Sequence, residues 1–190
     1  MKLGWIVTAA AAVAVAFAPA VTLAQTSTTT DKAAADKKIP SGDRKFVTEA
    51  LKGGMAEVEL GKLATEKASN AAVKQFGQRM AADHGKAGEE LKKLAQDKGI
   101  DPPTTLDSKH QKLRDRLAKL SGAEFDRAYM DEMVKDHRKD VKDFQREADK
   151  AKDPDVKSFA SKTLPTLQEH LKQAESVHAQ VKGSAKAEKK

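Results

Sequence analysis

The stretch Gly99-Ile100-Asp101-Pro102-Pro103-Thr104-Thr105-Leu106 through Leu120-Ser121-Gly122-Ala123-Glu124 decides how this chain folds. Two successive prolines remove backbone donors and fix φ, so no helix runs through 102–103. Gly99 stands where a helix C-terminus is expected. Leu106, Leu113, Leu117 and Leu120 then mark a short amphipathic helix, and Ser121-x-x-Glu124 has the form of a capping box opening another long one. The stretch is therefore a long crossover that carries a short helix.

Outward from it, the apolar spacing on both sides is helical. A first long helix over about 42–69, with Ser41 as its N-cap, carries Phe46, Ala50, Gly54, Val58, Gly61, Ala64 and Ala68 on one stripe. Asn70 breaks it. The second carries Val73, Phe76, Met80, His84, Ala87, Leu91 and Leu94 up to Gly99. After the crossover, the third carries Phe125, Tyr129, Met133, His137, Val141, Phe144 and Ala148, and stops at Asp153-Pro154, an N-cap with proline at the first helical position. The fourth carries Val156, Phe159, Thr163, Leu167, His170, Ala174, Val177 and Val181. Two tight hairpins joined by one long connection predict an all-α fold, a ferritin-like four-helix bundle. Gly53, Gly54, Gly61, Gly77, Gly85 and Gly88 sit inside the first two helices, where each costs about 1 kcal/mol relative to Ala, and close packing of those helices is the expected reason.

The ends read differently. Lys2 followed by an uncharged run from Trp5 to Ala24, closing on Thr22-Leu23-Ala24, is the pattern of a secretory signal peptide over 1–24; Ala18-Pro19-Ala20 offers a second cleavage point. Residues 25–40 have almost no large apolar side chain and form a disordered linker. The bundle spans 41–182, and 183–190 is a disordered basic tail. A periplasmic or secreted location follows, with peripheral attachment to the outer membrane as a variant and no membrane span once the leader is removed. The chain has no cysteine, so its stability comes from packing, with or without metal.

The net charge of +7 comes from 35 Lys and Arg against 28 Asp and Glu, but the signs alternate along the helices, as in Glu89-Glu90-Leu91-Lys92-Lys93. A nucleic-acid binder gathers its charge on one face, so nucleic acid is excluded as a partner. No phosphate loop, nucleophile elbow or His-Glu-x-x-His motif is present, which removes support for hydrolytic activity.

The chemistry lies on the stripes. His84, His137 and His170 face inward from three helices, and Glu57 faces inward from the first. Residues equally far from a tight turn share a height in an antiparallel pair. Glu57 and His84 are equidistant from the turn at Asn70, and His137 and His170 from the turn at Asp153-Pro154. Whether the two levels coincide depends on how the hairpins dock. Four buried polar groups need a joint explanation. One is a transition-metal ion (iron, zinc, copper or manganese) held by Glu57, His84, His137 and His170. The other is a hydrogen-bonded polar layer without metal, in which Glu57 accepts from one or two histidines. Asp83, Asp136 and Glu169 precede the histidines by one residue, about 100° round each helix, and suit supporting or surface roles. His110 and His178 read as surface histidines, and Met55, Met80, Met130 and Met133 as core.

Met55-Ala56-Glu57, Met80-Ala81-Ala82-Asp83-His84, Phe125-Asp126-x-x-Tyr129, His137, and Leu164-Pro165 followed by His170 together resemble a family of exported bacterial proteins, the domain of unknown function numbered 4142 (DUF4142), over about 42–182. The resemblance implies a ferritin-like fold and export. Members are often labelled outer membrane proteins, yet no alternating strands of a barrel are visible here. The Glu-x-x-His pairs of di-iron ferritin-like proteins are missing, since Ala81, Val134 and Leu167 stand three residues before the histidines. Three functions follow as expectations. The leading one is a mononuclear metal site used in metal handling or stress response. The second is a structural or interaction protein of the cell envelope with an unknown partner. The third is redox catalysis with Tyr129, which precedes His137 by two turns, about 12 Å along the helix.

Overall fold

The structure is a computed structural model that describes residues 39–187. The expected leader 1–24, nearly all of the expected linker 25–40, and residues 188–190 lie outside the described residues. Five helices make up the described chain: α1 (Ser41–Lys67), α2 (Ala71–Asp97), α3 (Ser108–Ala118), α4 (Gly122–Lys150) and α5 (Pro154–Ala187). The architecture is all-helical, with α1 packed on α2, α4 on α5, and α3 carried in the crossover against α1. α5 extends past 182, so residues 183–187 are helical where the sequence pointed to a tail.

Local chemistry sets most boundaries. The Asn70 side chain accepts from the Ala72 and Val73 N–H groups at 2.8 and 3.4 Å and so caps α2. Asp153 does the same for α5 through the N–H groups of Asp155 and Val156. α2 ends on a Schellman motif: Gly99 takes φ +64°, Ile100 N–H reaches Ala95 O at 2.8 Å, and Gly99 N–H reaches Gln96 O at 3.1 Å. Two caps differ from expectation. Ser41 is the first residue of α1 and Pro40 holds the cap position. Ser121 precedes α4 without any side-chain cap bond; α4 is entered instead through Gly122 at φ +56°, a left-handed conformation glycine adopts at little cost.

Each hairpin turn is held by a buried aspartate from the other hairpin. Asp43, in the first turn of α1, accepts from Lys152 N–H (3.0 Å) and Asp153 N–H (2.7 Å). Asp126, near the start of α4, accepts from Ser69 N–H (3.1 Å), Ser69 Oγ–H (2.6 Å) and Asn70 N–H (2.9 Å). These clamps satisfy turn donors that would otherwise be buried unpaired, and they tie the two hairpins together at both ends of the bundle.

Of the six helix-interior glycines in α1 and α2, only two are explained by packing. A Cβ on Gly61 would stand 2.5 Å from Gly77 O, and one on Gly77 would stand 2.7 Å from Ala64 Cβ. Here the two backbones touch. Gly53, Gly54, Gly85 and Gly88 would place a Cβ in open space, so close packing does not account for them.

The apolar core falls into two clusters. One gathers Leu60, Phe76, Met80, Phe125, Tyr129 and Met133. The other gathers Phe46, Leu51, Leu91, Phe144, Phe159 and Leu167. Met80, Met130 and Met133 are fully buried in the first, as core methionines should be. On every long helix the sequence passes from one cluster to the other across a single buried polar residue: Glu57, His84, His137 and His170.

Candidate metal centre

The hairpins dock so that the two levels coincide. The imidazole centroids lie 5.6 Å apart for His84 and His137, 5.3 Å for His84 and His170, and 5.4 Å for His137 and His170. Glu57 joins them from α1. Exposure is 4% for Glu57, 8% for His84, 0% for His137 and 1% for His170, which keeps all four largely out of bulk water.

Each imidazole has one nitrogen engaged and one without a partner. His84 Nδ1 lies 3.0 Å from Glu57 Oε2. His137 Nδ1 lies 3.0 Å from the Met133 carbonyl, an acceptor only, so that nitrogen carries the proton. His170 Nε2 lies 2.8 Å from Asp83 Oδ2. The remaining nitrogens, His84 Nε2, His137 Nε2 and His170 Nδ1, are buried with no hydrogen-bond partner. One ligand nitrogen from each of the three histidines falls within 4.8 Å of the others. In a neutral ring, an N–H donated to the outer oxygen leaves the other nitrogen with a lone pair free for a ligand. A carboxylate or carbonyl behind each imidazole is the arrangement that orients histidines on metal ions.

The electrostatics follow from burial and contact. Burial alone would raise the Glu57 carboxyl, but the charges and hydrogen bond of the surrounding histidines, His84 foremost, hold it down at about 2. Burial pushes the His84 imidazole down while the adjacent Glu57 carboxylate more than restores it, so its pKa ends raised. His170 is pushed down to about 4 by burial, with the neighbouring histidines adding to the effect of desolvation. Asp83 is held below its usual range, since the hydrogen bonds of His170 and Arg79 outweigh its partial desolvation. Arg79 lies 3.2 Å from Asp83 and also donates to Gln173 at 2.9 Å, a chain that fixes the His170 ring from behind.

The other residues singled out in the sequence separate clearly. Asp136 is half-buried and lines a cleft next to the site; burial and the Glu57 charge raise its pKa. Asp140, one turn further along α4, lines the same cleft and is raised to about 8 by burial and then by Glu57. The sequence reading did not include it, although its spacing of three from His137 was a usable signal. Glu169 is exposed. His178 is half-buried, its side chain 20% exposed, and lies 2.6 Å from Asp131. His110 is not a surface residue: α3 folds it against the same cleft, where its side chain is 15% exposed. Tyr129 is fully buried with its hydroxyl unpartnered, and burial together with the Glu57 charge raises its pKa.

No helix among the described residues is long and apolar enough to cross a membrane. Two solved structures are similar in fold. A fragment described as DUF305 from Deinococcus radiodurans has a TM-score of 0.65 at 15% identity, covering 75% of this chain and 98% of that one. CopM in its Cu(II)-bound form has a TM-score of 0.61 at 17% identity, covering 73% of this chain and 96% of that one. No curated protein matches this chain in sequence. The sequence profile of the domain of unknown function DUF4142 matches residues 28–177, and the chain belongs to that family.

Proposed function

We propose that this protein binds one transition-metal ion between its two hairpins and serves in metal handling or stress response in the bacterial envelope. The observation that carries the reading is that the three histidines each bring one nitrogen within 4.8 Å of the others, while His84 Nε2, His137 Nε2 and His170 Nδ1 are buried without a hydrogen-bond partner. A polar layer without metal satisfies only the outer nitrogen of each ring. Three lone pairs in a dry interior repel one another, and a Lewis acid relieves that repulsion. Neutral nitrogen donors suit zinc, copper, iron or manganese; Glu57, expected from the sequence as a fourth ligand, instead stands behind two of the rings, Oε2 at 3.0 Å from His84 Nδ1 and Oε1 at 3.4 Å from His137 Nδ1, where it orients them. One fold neighbour was solved with copper(II), which makes copper(II) the first ion to test. Export to the periplasm rests on the leader-like run before Gln25.

Elemental analysis of protein purified without tag or chelator, beside a His84→Ala/His137→Ala variant, tests the reading. It expects one ion per chain in the natural protein and none in the variant. Equal metal content in both would overturn it.

A further inference from the structure

The four-residue centre is closed on most sides, yet a cleft of about 570 Å³, bounded chiefly by α1 and α4, has Glu57 and His84 in its lining. Its walls are bare where they pass the centre. Gly53 and Gly54 stand one turn before Glu57 on α1, and Gly88 stands one turn after His84 on α2; all three line the cleft. A Cβ on any of them would meet nothing within 4 Å, so alanine would fit and would favour the helix by about 1 kcal/mol at each position. Side chains on a helix lean toward its N-terminus. A side chain at position 88 would therefore lean over His84, and the missing side chains at 53 and 54 leave the turn beneath the Glu57 carboxylate uncovered.

The cleft also offers oxygen ligands. Glu57 Oε1 is buried without a hydrogen bond, 3.4 Å from His137 Nδ1. Asp136 and Asp140 are one turn apart on α4 and both line the wall. Of the four Lys and Arg that line the cleft, Lys139 Nζ bonds Asp143 at 2.8 Å and stays 3.9 Å from Asp140, and Arg146 bonds Asp143 and Glu147 at 2.7 and 3.0 Å; Lys45 and Lys109 complete the set, with the Lys109 charge acting on Asp136.

We infer that this cleft is the route by which a divalent cation reaches the histidines, with Asp140 on its wall and Glu57 Oε1 at its inner end as oxygen ligands met in passage. The inference rests on the metal-binding reading above and adds how the ion enters. A large side chain at any of these glycines would narrow the route.

The test is stopped-flow mixing of the full chain with copper(II), followed by the absorbance of the bound ion. Gly88→Leu and Gly54→Leu each place a side chain in the route from opposite walls, so a folding defect in one leaves the other informative. Gly85→Leu adds the same side chain to α2 outside the cleft. The two plugging variants should slow association and dissociation together by at least about tenfold, a barrier increase of about 1.4 kcal/mol, with Kd and one-ion stoichiometry unchanged. Gly85→Leu should behave as the natural chain, and Asp140→Asn should slow association. Unaltered rates in both plugging variants at full stoichiometry would overturn the route alone. A natural chain that takes up no copper(II) would overturn the metal reading and the route with it.

Discussion

Glu57 Oε2 lies 3.0 Å from His84 Nδ1, and both groups are buried between the two halves of the apolar core. This contact places the His84 proton on the outer nitrogen and turns Nε2 toward His137 and His170. Removing the carboxylate frees the ring to rotate and to change tautomer. Glu57→Ala should therefore weaken metal affinity by about 10–100-fold, as loss of an orienting partner typically does. Calorimetric titration with copper(II) measures it, and unchanged affinity would mean that His84 needs no orienting group.

In the metal-free protein two groups of opposite sign should nearly cancel between about pH 4 and 6.5 and leave a net loss of stability from there to about pH 8. His170 titrates at about 4 in the folded chain against an ordinary 6.5, so the unfolded chain takes up its proton first and stability is lost as pH falls through that interval. Asp140 titrates at about 8 against an ordinary 3.8, so the folded chain retains a proton the unfolded chain has released, and stability is lost as pH rises from 3.8 to about 8. Asp140→Asn removes the second loss only. Thermal unfolding in chelator should show it more stable than the natural chain at pH 8 and indistinguishable near pH 4; an equal gain at both would assign the effect to something other than this carboxyl.

Gly61→Ala and Gly85→Ala make the same chemical change in equivalent local structure and should have opposite effects. A methyl at 61 meets the Gly77 carbonyl and the Ala81 N–H, neither of which can move aside without shifting a helix. A cost of about 1–3 kcal/mol is expected. At 85 the space is open, and a gain of about 0.5–1 kcal/mol is expected from helix propensity. Urea unfolding of both variants decides the matter, and a matching sign would contradict the account of α1 against α2.

Asp126→Ala should be among the most damaging single changes away from the metal centre. It leaves two backbone N–H groups and the Ser69 hydroxyl without their acceptor, and charged hydrogen bonds of this kind are worth about 1.5–3 kcal/mol each before the structure relaxes. A loss of at least about 2 kcal/mol in urea unfolding is expected. Asp43→Ala should act alike on the opposite turn, and a negligible effect in both would remove the clamps from the account.

Much of this was legible because the deciding signals are local. Pro102-Pro103, Asn70, Gly99 and Asp153-Pro154 act within a turn of themselves, so helix number, order and the long crossover could be read directly. The shared height within each hairpin also follows from counting residues out from a turn. Docking of one hairpin on the other does not, because it depends on two whole surfaces; the convergence of His84 with His137 and His170 needed the structure. The clamps of Asp43 and Asp126 were hidden for the same reason, since their partners are backbone groups distant in sequence. Asp126 did stand in the motif Phe125-Asp126-x-x-Tyr129, whose structural reason is now visible. The glycines show the limit from another side. A glycine in a helix can mean close contact, as at 61 and 77, or can stand in open space, as at 54 and 88, and only the neighbours tell which. His110 was misread because α3 gave no sign of which face meets the bundle.

The central claim is that His84, His137 and His170 present three nitrogen lone pairs to one ion. X-ray absorption of the full chain loaded with one equivalent of copper(II) tests it most directly. The account predicts a first shell with three imidazole nitrogens, recognisable by scattering from the rings behind them, and loss of that signature in His137→Ala. An oxygen-only shell, or a spectrum that His137→Ala leaves unchanged, would contradict it.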